Sequence, residues 1–281
     1  MVKLIRRRRK CTAFWKGLEN LARIYPLFSS SKGNCTFFGS PEGGILIDCG
    51  VSCKRVCEAL ADNGISPQAV KSIFITHTHS DHVKGLTVFL KKYPAHIYAQ
   101  QRNLDILFES GKLPQGAECT AIESGAEVSA AGFTVSAFAT PHDTPASCGY
   151  RVTYPDGKTA VLCTDLGEVT DTVWASITGA DLVLLEANYD PDMLKSGSYP
   201  PDLKSRIASD HGHLSNGECG RRLAMLAEGG TMHFVLGHLS EENNTPERAA
   251  KAAACALLPR ERERDYMLYV APPCGGKAVV F

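Results

Sequence analysis

Six consecutive residues, His77-Thr78-His79-Ser80-Asp81-His82, carry three imidazoles and a carboxylate directly after the apolar run Ser72-Ile73-Phe74-Ile75-Thr76. An apolar, β-branched run of that length predicts a buried strand with the imidazoles at its end. His77 and His79 are two apart and project to one side of extended backbone, whereas Asp81 and His82 fall where the chain turns into the next helix and leave in other directions. The spacing therefore points to two ions rather than one. Neutral imidazole nitrogens with a carboxylate suit zinc, manganese or iron, and no cysteine lies close enough in sequence to indicate a thiolate site. A single histidine at a strand end is ordinarily a satisfied surface or core residue. Three of them with an aspartate in six positions read as a ligand cluster.

Other candidates admit two readings each. Asp48 ends the strand-like Gly44-Ile45-Leu46-Ile47 and could cap a helix predicted over 54–63. Pro141 restricts the backbone just before His142, which with Asp143 forms either a local hydrogen-bonded pair or part of a site. Asp165 follows the second arm of a hairpin, 149–154 and 159–163, and could cap a helix over 168–178. The stretch from Asp190 to Asp210 reads as a long irregular loop, and such loops are usually functional or disordered. Its Lys195, Tyr199, Lys204 and Arg206 suit phosphate holding and base stacking, or equally a solvated surface. Strands over 24–28 and 34–38 joined by Ser29–Gly33, a helix over 83–92 and a strand over 232–236 that delivers His238 complete the elements needed to position these groups.

The chain has 281 residues, 44% of them apolar, with no internal repeat and no low-complexity linker, which predicts one α/β domain over 23–281. Thirty basic and thirty acidic side chains cancel, so no global field marks a nucleic-acid partner, although a local basic groove would serve. The eleven scattered cysteines read as small buried hydrophobes of a reducing cytoplasm, without a disulfide frame. Residues 1–22 open with a basic run and read as a solvated, disordered extension. No stretch is long and apolar enough for a signal peptide or a membrane span, so a cytoplasmic protein with no membrane partner is expected.

Thr-His-x-His-x-Asp-His after an apolar strand resembles the signature of the metallo-β-lactamase fold. That likeness implies a four-layer αββα sandwich and a dinuclear hydrolase. Phe28–Asn34, Glu186-Ala187-Asn188-Tyr189-Asp190, Tyr199–Ile207, Gly212-His213-Leu214-Ser215-Asn216 and His238–Asn244 are similar, in order, to the bacterial YycJ/WalJ family within that superfamily. The resemblance covers nearly all the chain from residue 24 and implies a metal-dependent phosphodiesterase, a 5′ to 3′ DNA exonuclease of DNA repair. It also implies two divalent ions, zinc or manganese with iron as a third choice. His77, His79 and His142 would hold one, Asp81, His82 and His238 the other, with Asp165 between them and Asp48 supporting the loop without touching metal. Two such ions about 3.5–4 Å apart lower the pKa of a shared water to about 7. Asp81, Glu186 and His213 are the groups expected in catalysis; Glu186 and His213 are similar to the leaving-group acid pair of ribonuclease Z. The competing expectations are a hydrolase of small thioesters or lactones, and a ribonuclease.

Overall fold

The computed structural model describes residues 21–281, so the expected disordered extension lies, up to residue 20, outside the described residues. Two seven-stranded mixed sheets face each other. The first contains β1 (Arg23–Ser30), β2 (Gly33–Ser40), β3 (Gly43–Ile47), β4 (Val70–Phe74), β5 (His96–Ala99) and β6 (Cys119–Ala121), in the order β14-β1-β2-β3-β4-β5-β6 with β14 (Val279–Val280) at the edge. The second contains β7 (Glu127–Ala130), β8 (Phe133–Ala139), β9 (Cys148–Thr153), β10 (Thr159–Cys163), β11 (Leu182–Glu186), β12 (His233–Gly237) and β13 (Met267–Val270), in the order β13-β12-β11-β10-β9-β8-β7.

Strand alternation builds the layers, because successive side chains point to opposite faces. In β2, Phe37 packs outward against helices while Phe38 packs inward against the other sheet; in β11, Leu182 and Leu184 point inward while Val183 and Leu185 point outward. The inward residues of both sheets, among them Ile45, Phe74, Tyr150, Val152 and Val235, form the central core. Outside the first sheet, α1 (Cys53–Ala61), α3 (Leu86–Lys92) and α4 (Gln101–Glu109) add Val56, Phe89 and Leu104. Outside the second, α5 (Asp171–Ile177), α8 (Asn216–Glu228) and α9 (Pro246–Ala256) add Val173, Leu223 and Ala253. Burying each large apolar side chain contributes ~1.5–3 kcal/mol. Three stacked cores make the expected αββα sandwich. Among the described residues no helix is long and apolar enough to cross a membrane.

Local chemistry corrects several expected boundaries. The first hairpin turns on Ser31 and Lys32 alone, since Ser30 pairs with Gly33. The expected helix over 83–92 is two pieces, α2 (Ser80–Val83) and α3, broken at Gly85, whose amide donates to Cys49 O at 2.8 Å. Neither Asp48 nor Asp165 caps a helix: Ser52 caps α1 and Thr170 caps α5. The stretch read as one irregular loop contains α6 (Pro191–Ser196) and α7 (Pro201–Ile207), each begun by a proline in its first turn.

Candidate metal centre

Every group of the centre comes from a segment that leaves a strand at one edge of the sandwich. β3 runs parallel to β4, and β10, β11 and β12 run parallel to one another, so the loops carrying Asp48, His77 to His82, Asp165, Glu186 and His238 open side by side. His142 joins them from the β8–β9 connection, because β8 and β10 both lie antiparallel to β9. Ligand sites outside the carboxyl ends of parallel strands are the rule in such sheets. Asp48 (φ 63°), Asp165 (φ 59°) and His238 (φ 54°) are three of the five non-glycine residues with positive φ among the described residues. Asp and His tolerate this left-handed region better than most, and strain held by surrounding structure clusters at functional sites.

Side-chain donors of His77, His79 and His142 lie within 4.8 Å of one another, and so do those of Asp81, His82 and His238. Asp165 reaches toward both sets: Oδ2 is 3.4 Å from His82 Nε2, and Oδ1 is 3.4 Å from His238 Nε2 and 3.8 Å from His142 Nε2. Three of the rings are aimed by their other nitrogen. His82 Nδ1 meets Asp48 Oδ2 at 2.7 Å, His238 Nδ1 meets Asn34 Oδ1 at 3.0 Å, and His142 Nδ1 meets Gly212 O at 3.2 Å. Partners of this kind fix tautomer and orientation in metal sites. Asp48 is itself pinned by the amide and hydroxyl of Thr76, both at 2.9 Å.

The donor set fits divalent cations. His77 Nε2 and Asp165 Oδ2 are buried with no hydrogen-bond partner, a costly arrangement unless the lone pairs have another use. Burial, followed by the neighbouring His82, holds His77 well below its usual pKa, so its ring is neutral and can donate to a metal. Burial opposes ionisation of Asp165, but His238 and His82 outweigh it and hold the carboxyl well below its usual range.

Glu186 lies at the end of β11, wholly buried, with Oε1 2.7 Å from His213 Nδ1. Its Oε2 accepts the amide of Leu166 at 3.0 Å. Burial alone would lower the His213 pKa; Glu186 reverses this and raises it to about 9. The His213 ring stands between the two donor sets, its centroid 5.2 Å from that of His142 and 5.4 Å from that of His238. These rings line a cavity of about 240 Å³ together with His79, Asp81 and Asp165. Tyr199 and Arg206 of the basic stretch line it too, whereas Lys195 and Lys204 do not. Lys204 Nζ instead donates to Lys195 O at 2.8 Å and Gly197 O at 2.6 Å, which closes the turn between α6 and α7. Arg206 pairs with Asp143. Of the three remaining histidines, His96 bonds Thr120 Oγ1 at 2.7 Å from β5, His233 begins β12, and His211 lines a second cavity that His142 also borders.

The beta-lactamase superfamily domain model matches residues 44–238. The chain belongs to the metallo-β-lactamase superfamily. Exodeoxyribonuclease WalJ of Streptococcus pneumoniae serotype 2 (strain D39) is 36% identical over 225 residues, 79% of this chain and 83% of that protein. Exodeoxyribonuclease YycJ of Bacillus anthracis is 33% identical over 233 residues, 82% of this chain and 87% of that protein. Among solved structures, the metallo-β-lactamase fold protein YhfI from Bacillus subtilis superposes with a TM-score of 0.69 at 17% identity, over 93% of this chain and all of that one. In this member of the superfamily, some groups that shape the centre were not legible beforehand. Asn34, Ser29, whose hydroxyl accepts the His238 amide at 2.8 Å, and Asn188, whose side chain donates to His238 O at 2.9 Å, have types that mark no chemistry. Their positions in matching family segments were the single signal available.

Proposed function

We propose that the protein is a metal-dependent phosphodiesterase that removes nucleotides from DNA ends in the 5′ to 3′ direction. His77, His79 and His142 would hold one divalent ion and Asp81, His82 and His238 a second, with Asp165 within reach of both donor sets. Imidazole and carboxylate donors support zinc or manganese, with iron also compatible. Ions held there supply an activated water and neutralise the oxygens of a phosphodiester as it reacts. The observation that carries the reading is the Glu186–His213 pair, 2.7 Å apart, in which His213 lines the same cavity and Glu186 lies buried behind it. A sugar oxygen is a poor leaving group and needs a proton as it departs. With Nδ1 tied to Glu186, His213 delivers that proton from Nε2, and Glu186 stabilises the cation and keeps the ring in place. A departing thiolate needs no such donor, which favours phosphodiesters over thioesters. Tyr199 offers a ring face for a base, and Arg206, exchanging its Asp143 contact for a phosphate, anchors the strand.

The names of the WalJ and YycJ relatives support DNA as the substrate. An end-directed nuclease of this kind fits cytoplasmic DNA repair, and the ten described cysteines, all free, fit a reducing compartment. The test is purified protein with manganese or zinc on 5′- and 3′-labelled single- and double-stranded DNA, the same RNA, and a covalently closed DNA circle. Mononucleotides released from the 5′ end, with RNA and the circle intact, are expected. Cleavage of the circle would overturn end selection, and preferential loss of RNA would overturn the choice of substrate.

A further inference from the structure

Asn34, the second residue of β2, is 7% exposed and sends its amide into one donor set of the centre. Its Oδ1 lies 3.0 Å from His238 Nδ1. Its Nδ2 lies 3.1 Å from Asp81 Oδ2, 3.0 Å from His82 Nε2 and 3.1 Å from Ser30 O. All three side chains of the Asp81, His82 and His238 set are therefore within hydrogen-bond distance of one amide. We propose that Asn34 is a positioning residue that turns this set into an ion site, and that its loss weakens this site alone. The inference rests on the two-ion reading above.

The amide orientation follows from donor and acceptor counting. A flipped amide would set its oxygen against the Asp81 carboxylate, acceptor against acceptor, so the observed orientation is the one that satisfies both ends. Oδ1 can only accept, so His238 Nδ1 carries a hydrogen and Nε2, 3.4 Å from Asp165 Oδ1, is the nitrogen left to face a cation. The Nδ2 group has two hydrogens and two certain acceptors, Ser30 O and Asp81 Oδ2, with His82 Nε2 a third whenever that ring carries its hydrogen on Nδ1 alone. When His82 Nε2 turns its lone pair to a cation, Ser30 O and Asp81 Oδ2 still take both hydrogens, and no buried donor is stranded. Asn34 thus holds the set assembled before an ion arrives without opposing its arrival. The backbone prevents the amide from swinging away: Asn34 O accepts the Gly50 amide at 2.8 Å, and Asn34 pairs with Ser29 in the β1–β2 ladder.

The experiment titrates metal-free full-length protein, wild type and Asn34→Ala, with zinc by calorimetry and with cobalt by its visible spectrum. Wild type is expected to take up two ions. Asn34→Ala should bind the first ion with unchanged affinity and the second about 10–100-fold more weakly, the usual effect of losing an outer partner of a ligand. Unchanged uptake of the first ion also shows that the variant is folded. Two ions bound as in wild type, both weakened equally, or a second ion bound more tightly would each overturn the inference. Wild-type protein that binds no ion would sink the two-ion reading itself, and this inference with it.

Discussion

Glu186 offers one oxygen to His213 and the other to the Leu166 amide, so its carboxylate has no freedom to rotate away from the imidazole. Proton donation by a positioned side chain is worth ~10²–10⁴-fold in rate. His213→Ala should lose about that much turnover on DNA while keeping its metal content. On bis-p-nitrophenyl phosphate, whose leaving group departs without a proton, the same variant should lose far less. Parallel loss on both substrates would remove the acid role and leave His213 a structural residue.

At the scale of elements, the centre depends on how tightly two loops approach each other. A Cβ on Gly50, between β3 and α1, would stand 1.6 Å from Asp81 O and 2.7 Å from Asn34 N. Both neighbours are backbone atoms and cannot be pushed aside without moving the loop that carries Asp81 and His82. Gly50→Ala should therefore destabilise the fold by ~1–3 kcal/mol, as overpacked substitutions do, measured by urea unfolding. It should also weaken metal uptake; a variant with wild-type stability and metal content would show that the loops are more pliable than their contacts imply. The pair α6 and α7 acts differently, since Lys204 closes the turn within it and Tyr199, Leu203 and Arg206 face the cavity. It is an ordered wall where the composition of the stretch predicted a loop.

Across the whole molecule, the donors come from both sheets: His77, His79, Asp81 and His82 follow β4 of the first, and His142, Asp165 and His238 follow strands of the second. Ions bound by these donors would tie the two halves of the sandwich together and would bind only the folded chain. A free ion concentration 1,000-fold above its Kd stabilises by ~4 kcal/mol per site. For a domain of this size that corresponds to a rise in Tm on the order of 10 °C. Thermal unfolding with and without chelator should show the shift, and His79→Ala should shrink it along with activity. A Tm indifferent to chelator in wild-type protein would count against ions that bridge the sheets.

A candidate ligand cluster was legible in the amino-acid order alone, because His77, His79, Asp81 and His82 are close neighbours in the chain and follow an apolar strand. The αββα layer order was implied by the family resemblance, and β2 and β11, buried on both faces, are consistent with it. Asp48, His142, Asp165, Glu186, His213 and His238 were placed by their resemblance to a family pattern, since each alone reads equally well as a cap or a local pair. That Asp48 and Asp165 cap nothing, that Lys204 serves its own turn, and that Asn34 reaches three side chains of the centre is visible first in the folded arrangement. The Asn34 contacts join groups up to 204 residues apart in the chain, as for Asn34 and His238, whereas Lys204 bonds carbonyls only seven and nine residues away. An amide has the same local propensity wherever its partner stands, so no local pattern could have carried the Asn34 contacts.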